Sequence, residues 1–120
     1  MNNKMAMANL EKKEVGTVNE GSKIKYRIRP TRYLNYDCAR STWDVEFHLP
    51  GVKKEDIDIK FLKGAYHLEA VRGQALYHAS EYLPFDINPD SIKADYNNGL
   101  LHVKGTIHNP LDDAVEIKLD

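Results

Sequence analysis

Five histidines, one cysteine and a few clustered carboxylates are the side chains of this sequence with the most chemistry to offer. The histidines are His48, His67, His78, His102 and His108, and none sits in a Cys/His ligand spacing of the kind that builds a zinc site. They fall on segments that read as separate strands, so they could share an ion only where strands converge. The expectation is solvent-exposed strand histidines and no metal ligand. Phosphate chemistry would need a Gly-rich loop, acyl transfer a Gly-x-Ser-x-Gly elbow, and zinc proteolysis a His-Glu-x-x-His pair, and all three are missing. Glu55, Asp56 and Asp58 lie where a turn becomes a strand, and a solvated face or a helical cap accounts for them. Cys38 stands two residues from Arg40, a cation that could lower its thiol pKa, yet a half-buried strand or loop cysteine is the simpler account. The sequence thus offers no catalytic residue, no cofactor-binding residue and no metal site, and the expectation is a protein that is not an enzyme.

The elements that position these residues follow a period of two. Ile24, Tyr26 and Ile28 alternate with charges and stop at Pro30. Trp43, Val45, Phe47 and Leu49 alternate with polar residues and stop at Pro50-Gly51, while Ile57, Ile59 and Phe61 run to Lys63-Gly64. Each such run is a strand with one face on a core and one in water. Tyr66–Arg72 and Leu76–Leu83 add two more, separated by Gly73-Gln74-Ala75. Ile92–Tyr96 and Leu100–Val103 flank Asn97-Asn98-Gly99, a hairpin signal because Asn and Gly both tolerate the positive φ of a type I′ turn. Short strands with frequent turn signals predict an all-β, antiparallel β-sandwich spanning about residues 23–107. Trp43, Val45, Phe47, Leu49, Ile57, Ile59, Leu68, Leu101 and Val103 are expected inside it.

With 120 residues, 42% of them hydrophobic and 29% charged, the chain has the composition of one globular domain. The net charge of −1, with both signs interspersed, argues against a nucleic-acid surface. The basic run Lys23–Arg29 alternates with apolar residues and reads as a strand with a wet basic face. No apolar run approaches the roughly 20 residues that cross a bilayer, so no membrane partner is expected. The stretch from Met1 to Ala8 lacks a signal-peptide core and soon turns charged at Glu11-Lys12-Lys13-Glu14, so a cytoplasmic address is expected. A single cysteine, unable to form an internal disulfide, agrees with that. Residues 1–22 read as a mobile arm, and 108–120 as a linker followed by the alternating Val115-Glu116-Ile117-Lys118-Leu119-Asp120, a short strand.

Two segments carry a family pattern. Phe47-His48-Leu49-Pro50-Gly51-Val52-Lys53-Lys54-Glu55-Asp56-Ile57 resembles the Leu-Pro-Gly-Val/Phe-x-Lys-Glu-Asp-Ile stretch of small heat-shock proteins. Ala94-Asp95-Tyr96-Asn97-Asn98-Gly99-Leu100-Leu101 is similar to their Ala-x-x-x-Asn-Gly-Val-Leu signature, with Ala94 and Leu101 read as core positions. The resemblance covers roughly residues 30–106 and implies an immunoglobulin-like sandwich of the α-crystallin domain type. It also implies an ATP-independent holdase that captures partly unfolded client proteins and self-associates. Family members commonly end in Ile-x-Ile/Val, which docks into an edge groove of a neighbouring subunit, and Ile117-Lys118-Leu119 matches that in type. Ile117 and Leu119 are therefore the candidate subunit-docking residues, the alternative being a tail strand folded onto its own domain. Met5, Met7 and Leu10 are the candidate client contacts, adaptable apolar side chains in a short arm poor in aromatics.

The sequence departs from the family pattern between Arg72 and Leu76. Microbial and plant members usually carry there a long loop whose strand swaps into the partner, and three residues cannot reach a neighbouring sheet. Pairing of subunits would then need another edge, such as Leu76–Leu83 beside its symmetry mate. An arginine that often pairs across the dimer interface is replaced here by Ala79. The short connection suits a second reading, a CS-domain-like co-chaperone or adaptor that binds a folded partner.

Overall fold

The structure, a computed structural model, describes residues 24–120. The arm and its candidate client contacts Met5, Met7 and Leu10 lie outside the described residues. Among the described residues there are eight strands: β1 (Tyr26–Ile28), β2 (Arg32–Asp37), β3 (Thr42–His48), β4 (Ile57–Leu62), β5 (Ala65–Arg72), β6 (Ala75–Tyr82), β7 (Lys93–Asn97) and β8 (Leu100–Thr106). They form two four-stranded sheets, ordered β1-β6-β5-β4 and β2-β3-β8-β7. The all-β sandwich is thus observed. Every strand pairing is antiparallel except that of β1, which runs parallel to β6 from Tyr26 opposite Ala75 to Ile28 opposite Tyr77.

Period-two alternation explains β3 best. Trp43, Val45 and Phe47 are buried while Asp44 and Glu46 are only partly so, because successive side chains of a strand point to opposite faces. Aromatic rings lock the sheets together: Trp43 lies 5.4 Å from Phe61, and Phe47 lies 5.2 Å from Tyr66. Leu49, Leu68, Leu101 and Val103 join this core as expected. Ile57 and Ile59 do not, being only half-buried against it. The reason is topological: β4 is the outer strand of its sheet, so one flank of each side chain faces the open side of the sandwich. Ala94 departs further, since β7 is also an edge strand and Ala94 is exposed.

Two turns decide the register. Gly73 and Gln74 alone connect β5 to β6, and Ala75 is already a strand residue, paired with Arg72. Gly73 takes φ +58° at the first central position, as a type II′ hairpin turn requires. β5 and β6 therefore pair within one chain. In the second turn, Asn98 at φ 49° and Gly99 at φ 84° join β7 to β8, the two positive values of a type I′ turn.

The strand β2 was not apparent from the sequence. Arg32-Tyr33-Leu34-Asn35-Tyr36-Asp37 has a single half-buried residue, Leu34, so it carries little hydrophobic alternation, and its pairing to β3 supplies the order. Cys38 lies in the β2–β3 turn and is exposed, not half-buried. Asp37 shapes that turn by accepting from the backbone N–H of Ala39 at 3.0 Å and of Arg40 at 3.2 Å. The β1 cover also changes the expectation for Leu76–Leu83. The first part of that edge already holds a strand of the same chain, so it is not open along its length to a symmetry mate.

Candidate functional site

The sandwich is open along one side, where the edge strands β4 and β7 belong to different sheets. A groove of about 300 Å³ runs there, lined by Lys54, Ile57, Ala94, Asp95, Tyr96, Asn97 and Leu101. Its floor is apolar, made by Ile57, Ala94, Tyr96 and Leu101, and Lys54 and Asp95 give it charged rims. The features that took Ile57 and Ala94 out of the core are the ones that place them here. A shallow apolar trough between two strand edges, with unpaired backbone groups alongside, has the shape and chemistry that added strands use in other proteins.

Tyr96 holds one wall in place. Its hydroxyl faces two carbonyl oxygens, that of Leu49 at 2.9 Å and that of Val52 at 2.6 Å, and donates its proton into that pair. Burial pushes the phenol pKa up, because an ionised oxygen there would lose water. The turn below is tied to the same segment. The N–H of Leu49 donates to the Gly99 carbonyl at 2.7 Å, and a Cβ on Gly99 would stand 3.1 Å from the Pro50 Cα. Leu49-Pro50-Gly51 and Asn97-Asn98-Gly99, the two segments that carried the family pattern, thus touch each other beside the groove.

The tail leaves the domain at a fixed root. His108 Nε2 lies 2.6 Å from Asp113 Oδ2 and its Nδ1 lies 3.1 Å from Asn88 Oδ1. That contact with His108 holds the Asp113 carboxyl below its ordinary value. Asn109 caps the 3-10 turn Pro110–Asp113, its side-chain oxygen accepting from the Leu111 N–H at 3.0 Å. Beyond it, residues 114–120 form no strand in this chain, unlike the expected short strand. Val115, Ile117 and Leu119 are 81%, 75% and 89% exposed. Ile117 and Leu119 are therefore not packed on their own domain, and the groove and its candidate ligands are not brought together within one chain.

The family model described as Hsp20/alpha crystallin family matches residues 37–118. The chain belongs to this family. Among curated relatives, Small heat shock protein C2 of Rickettsia felis is 32% identical over an alignment covering 52% of this chain and 51% of the relative. The chain thus spans about half the length of that relative. Heat shock protein 16.0 from Schizosaccharomyces pombe has a similar fold, with a TM-score of 0.59 at 22% identity over 78% of this chain and 99% of that one. A mutant of hsp14.1 from Sulfolobus solfatataricus P2 gives a TM-score of 0.58 at 17% identity over 94% and 97%. The small heat-shock protein fold follows, and among the described residues no helix is long and apolar enough to cross a membrane.

Within this family member the histidines do not behave as wet strand residues throughout. His48 is exposed, stacked edge-on against Tyr33. His102 is partly buried, its Nε2 2.9 Å from Asp44 Oδ2. His67 and Glu69 are only 2% exposed, with His78 half-buried beside them. These three donors come together because β5 and β6 pair, Glu69 opposite His78. The signal was latent in the sequence. Once Gly73-Gln74 is taken as a two-residue turn, counting back along both strands sets Glu69 against His78 and His67 against Ser80. A three-residue turn shifts the count by one and hides the cluster.

Proposed function

We propose that this small heat-shock protein is an ATP-independent holdase, binding partly unfolded proteins and preventing their aggregation. In this reading the chain self-associates by setting Ile117 and Leu119 into the β4–β7 groove of a neighbouring copy, and Met5, Met7 and Leu10 contribute to client capture. The observation that supports the self-association is that one chain carries both an exposed apolar tail and an apolar groove. Ile117 and Leu119 are 75% and 89% exposed, and Ile57, Ala94, Tyr96 and Leu101 line the trough. In an extended tail the two side chains share one face, so both reach the trough floor while the backbone pairs with a strand edge. Burying each would contribute on the order of 1.5–3 kcal/mol before ordering costs. Many such weak docks hold an assembly together and still let subunits exchange.

The test is suppression of client aggregation without ATP, run beside light scattering for mass. Wild-type protein should suppress aggregation and exist as an assembly. A second reading, an adaptor that binds a folded partner, is favoured by the two-residue β5–β6 turn and by β1 lying on part of the β6 edge. A monomer that fails to suppress aggregation would select the adaptor.

A further inference from the structure

His67, Glu69 and His78 present three ligand atoms that all lie within 4.8 Å of one another. We propose that this cluster is a binding site for a divalent transition ion of the zinc type, clipping β5 to β6 on the face of the sheet away from the core.

The geometry favours coordination in three ways. Two atoms bound to one zinc at about 2.1 Å in a tetrahedral arrangement are about 3.4 Å apart. His67 Nε2 and Glu69 Oε1 already stand 3.7 Å apart, so small side-chain rotations complete the pair. His78 comes from the neighbouring strand directly opposite Glu69, and its ring meets that of His67 at 5.5 Å in a T-shaped contact. Next, His67 is oriented from behind. Its Nδ1 is hydrogen-bonded to Ser80 Oγ at 2.5 Å; with the ring proton on Nδ1 that contact fixes the ring orientation and makes Nε2 the coordinating nitrogen, as the second hydrogen bond of a ligating histidine does. Last, the backbone is rigid here. β5 and β6 are the two interior strands of their sheet, so the ligands sit on paired backbone and not on a loop.

The donor set selects the ion. Two imidazoles and one carboxylate suit Zn²⁺ and its neighbours, whereas Ca²⁺ and Mg²⁺ prefer oxygen alone. The charged groups of the adjacent strand are compatible with a cation. Asp58 stands opposite Glu69 and Lys60 opposite His67, and Lys60 Nζ donates to Asp58 Oδ2 at 2.7 Å, which directs the ammonium to that carboxylate. Asp44, Glu46 and His102 form a second group of donors. They are only partly buried, and His102 is already engaged by Asp44 at 2.9 Å, so they serve as the control.

The experiment uses the untagged full chain, freed of metal, titrated with Zn²⁺ by calorimetry and with Co²⁺ by visible absorption. The expected result is one Zn²⁺ per chain, a tetrahedral Co²⁺ spectrum, and an unfolding midpoint raised by several degrees in saturating Zn²⁺ and restored by a chelator. Ca²⁺ and Mg²⁺ should do none of this. His78→Gln, at a half-buried position, and Glu69→Gln, which keeps the shape, should each weaken Zn²⁺ binding at least tenfold, and His102→Gln should leave it unchanged. Circular dichroism of the metal-free variants checks their fold, and if Glu69→Gln does not fold, His78→Gln decides alone. Absence of stoichiometric binding, wild-type affinity in His78→Gln, or loss of binding in His102→Gln would each overturn the proposal.

Discussion

Arg32 and Glu81 join the two sheets through a forked ion pair: Arg32 Nε donates to Glu81 Oε1 at 2.7 Å and Nη2 to Oε2 at 3.0 Å. β2 belongs to one sheet and β6 to the other, so the pair spans the sandwich at its edge. Arg29 adds a second guanidinium at 2.9 Å, and the buried Tyr66 hydroxyl donates to the same carboxylate. The hydrogen bonds from Arg32 lead in lowering the Glu81 pKa from 4.5 to about 2. Burial, and then the hydrogen bond to Glu81, push the Tyr66 phenol up.

This network gives a pH prediction with a definite sign. A carboxylate whose pKa falls on folding adds stability that is complete above its unfolded value and is lost as pH drops to the folded one. The Glu81 contribution should therefore be full above pH 4.5 and fade towards about pH 2. Glu81→Gln should cost about 1–2 kcal/mol at neutral pH, a figure discounted for the water that reaches Arg29. It should also flatten the acid limb of stability between those two values. Urea unfolding at a series of pH values measures both, and an unchanged acid limb would show that the pair adds nothing.

Gly99 sits at φ 84° with the Pro50 Cα 3.1 Å from where a Cβ would be. Gly99→Ala meets both a backbone conformation that L side chains avoid and a close backbone neighbour. It should destabilise the domain by about 1–3 kcal/mol in chemical denaturation, whereas Asn98→Gly, which keeps the positive φ without strain, should stay within about 1 kcal/mol.

Ala94 separates stability from assembly. Its side chain is exposed and lines the groove, so Ala94→Glu should leave unfolding of the dilute domain nearly unchanged. Filling the trough with a charge should nonetheless reduce the assembly mass seen by light scattering, if the tail docks there.

The tail itself supplies the reciprocal test. Replacing Ile117 and Leu119 together by Ser should shrink the assembly while the thermal midpoint of the dilute protein holds, since both residues are exposed in the single chain. An unchanged mass would remove the docking reading, and a lowered midpoint would mean the tail packs on its own domain.

In the core, Phe47 is fully buried and stacks edge-on against Tyr66. Phe47→Ala should cost about 3–5 kcal/mol of unfolding free energy, the loss of a large side chain plus the cavity left behind.

The sequence alone determined what depends on neighbours along the chain. Alternation placed Trp43, Val45 and Phe47 inside because a strand turns every second side chain the same way. Asn98-Gly99 defined a hairpin because few residues accept two positive φ values. What depends on neighbours across space was decided only by the tertiary structure. Ile57 and Ala94 read as core residues, and their place at strand edges moved them into a groove, since alternation tells which face a residue takes but not whether another strand covers it. β2 carries almost no apolar alternation and exists through its ladder to β3. His67 and Glu69 sit on the outward face of β5, which the pattern assigns to water, yet both are 2% exposed. Their meeting with His78 follows from a register that one residue of turn length would have shifted.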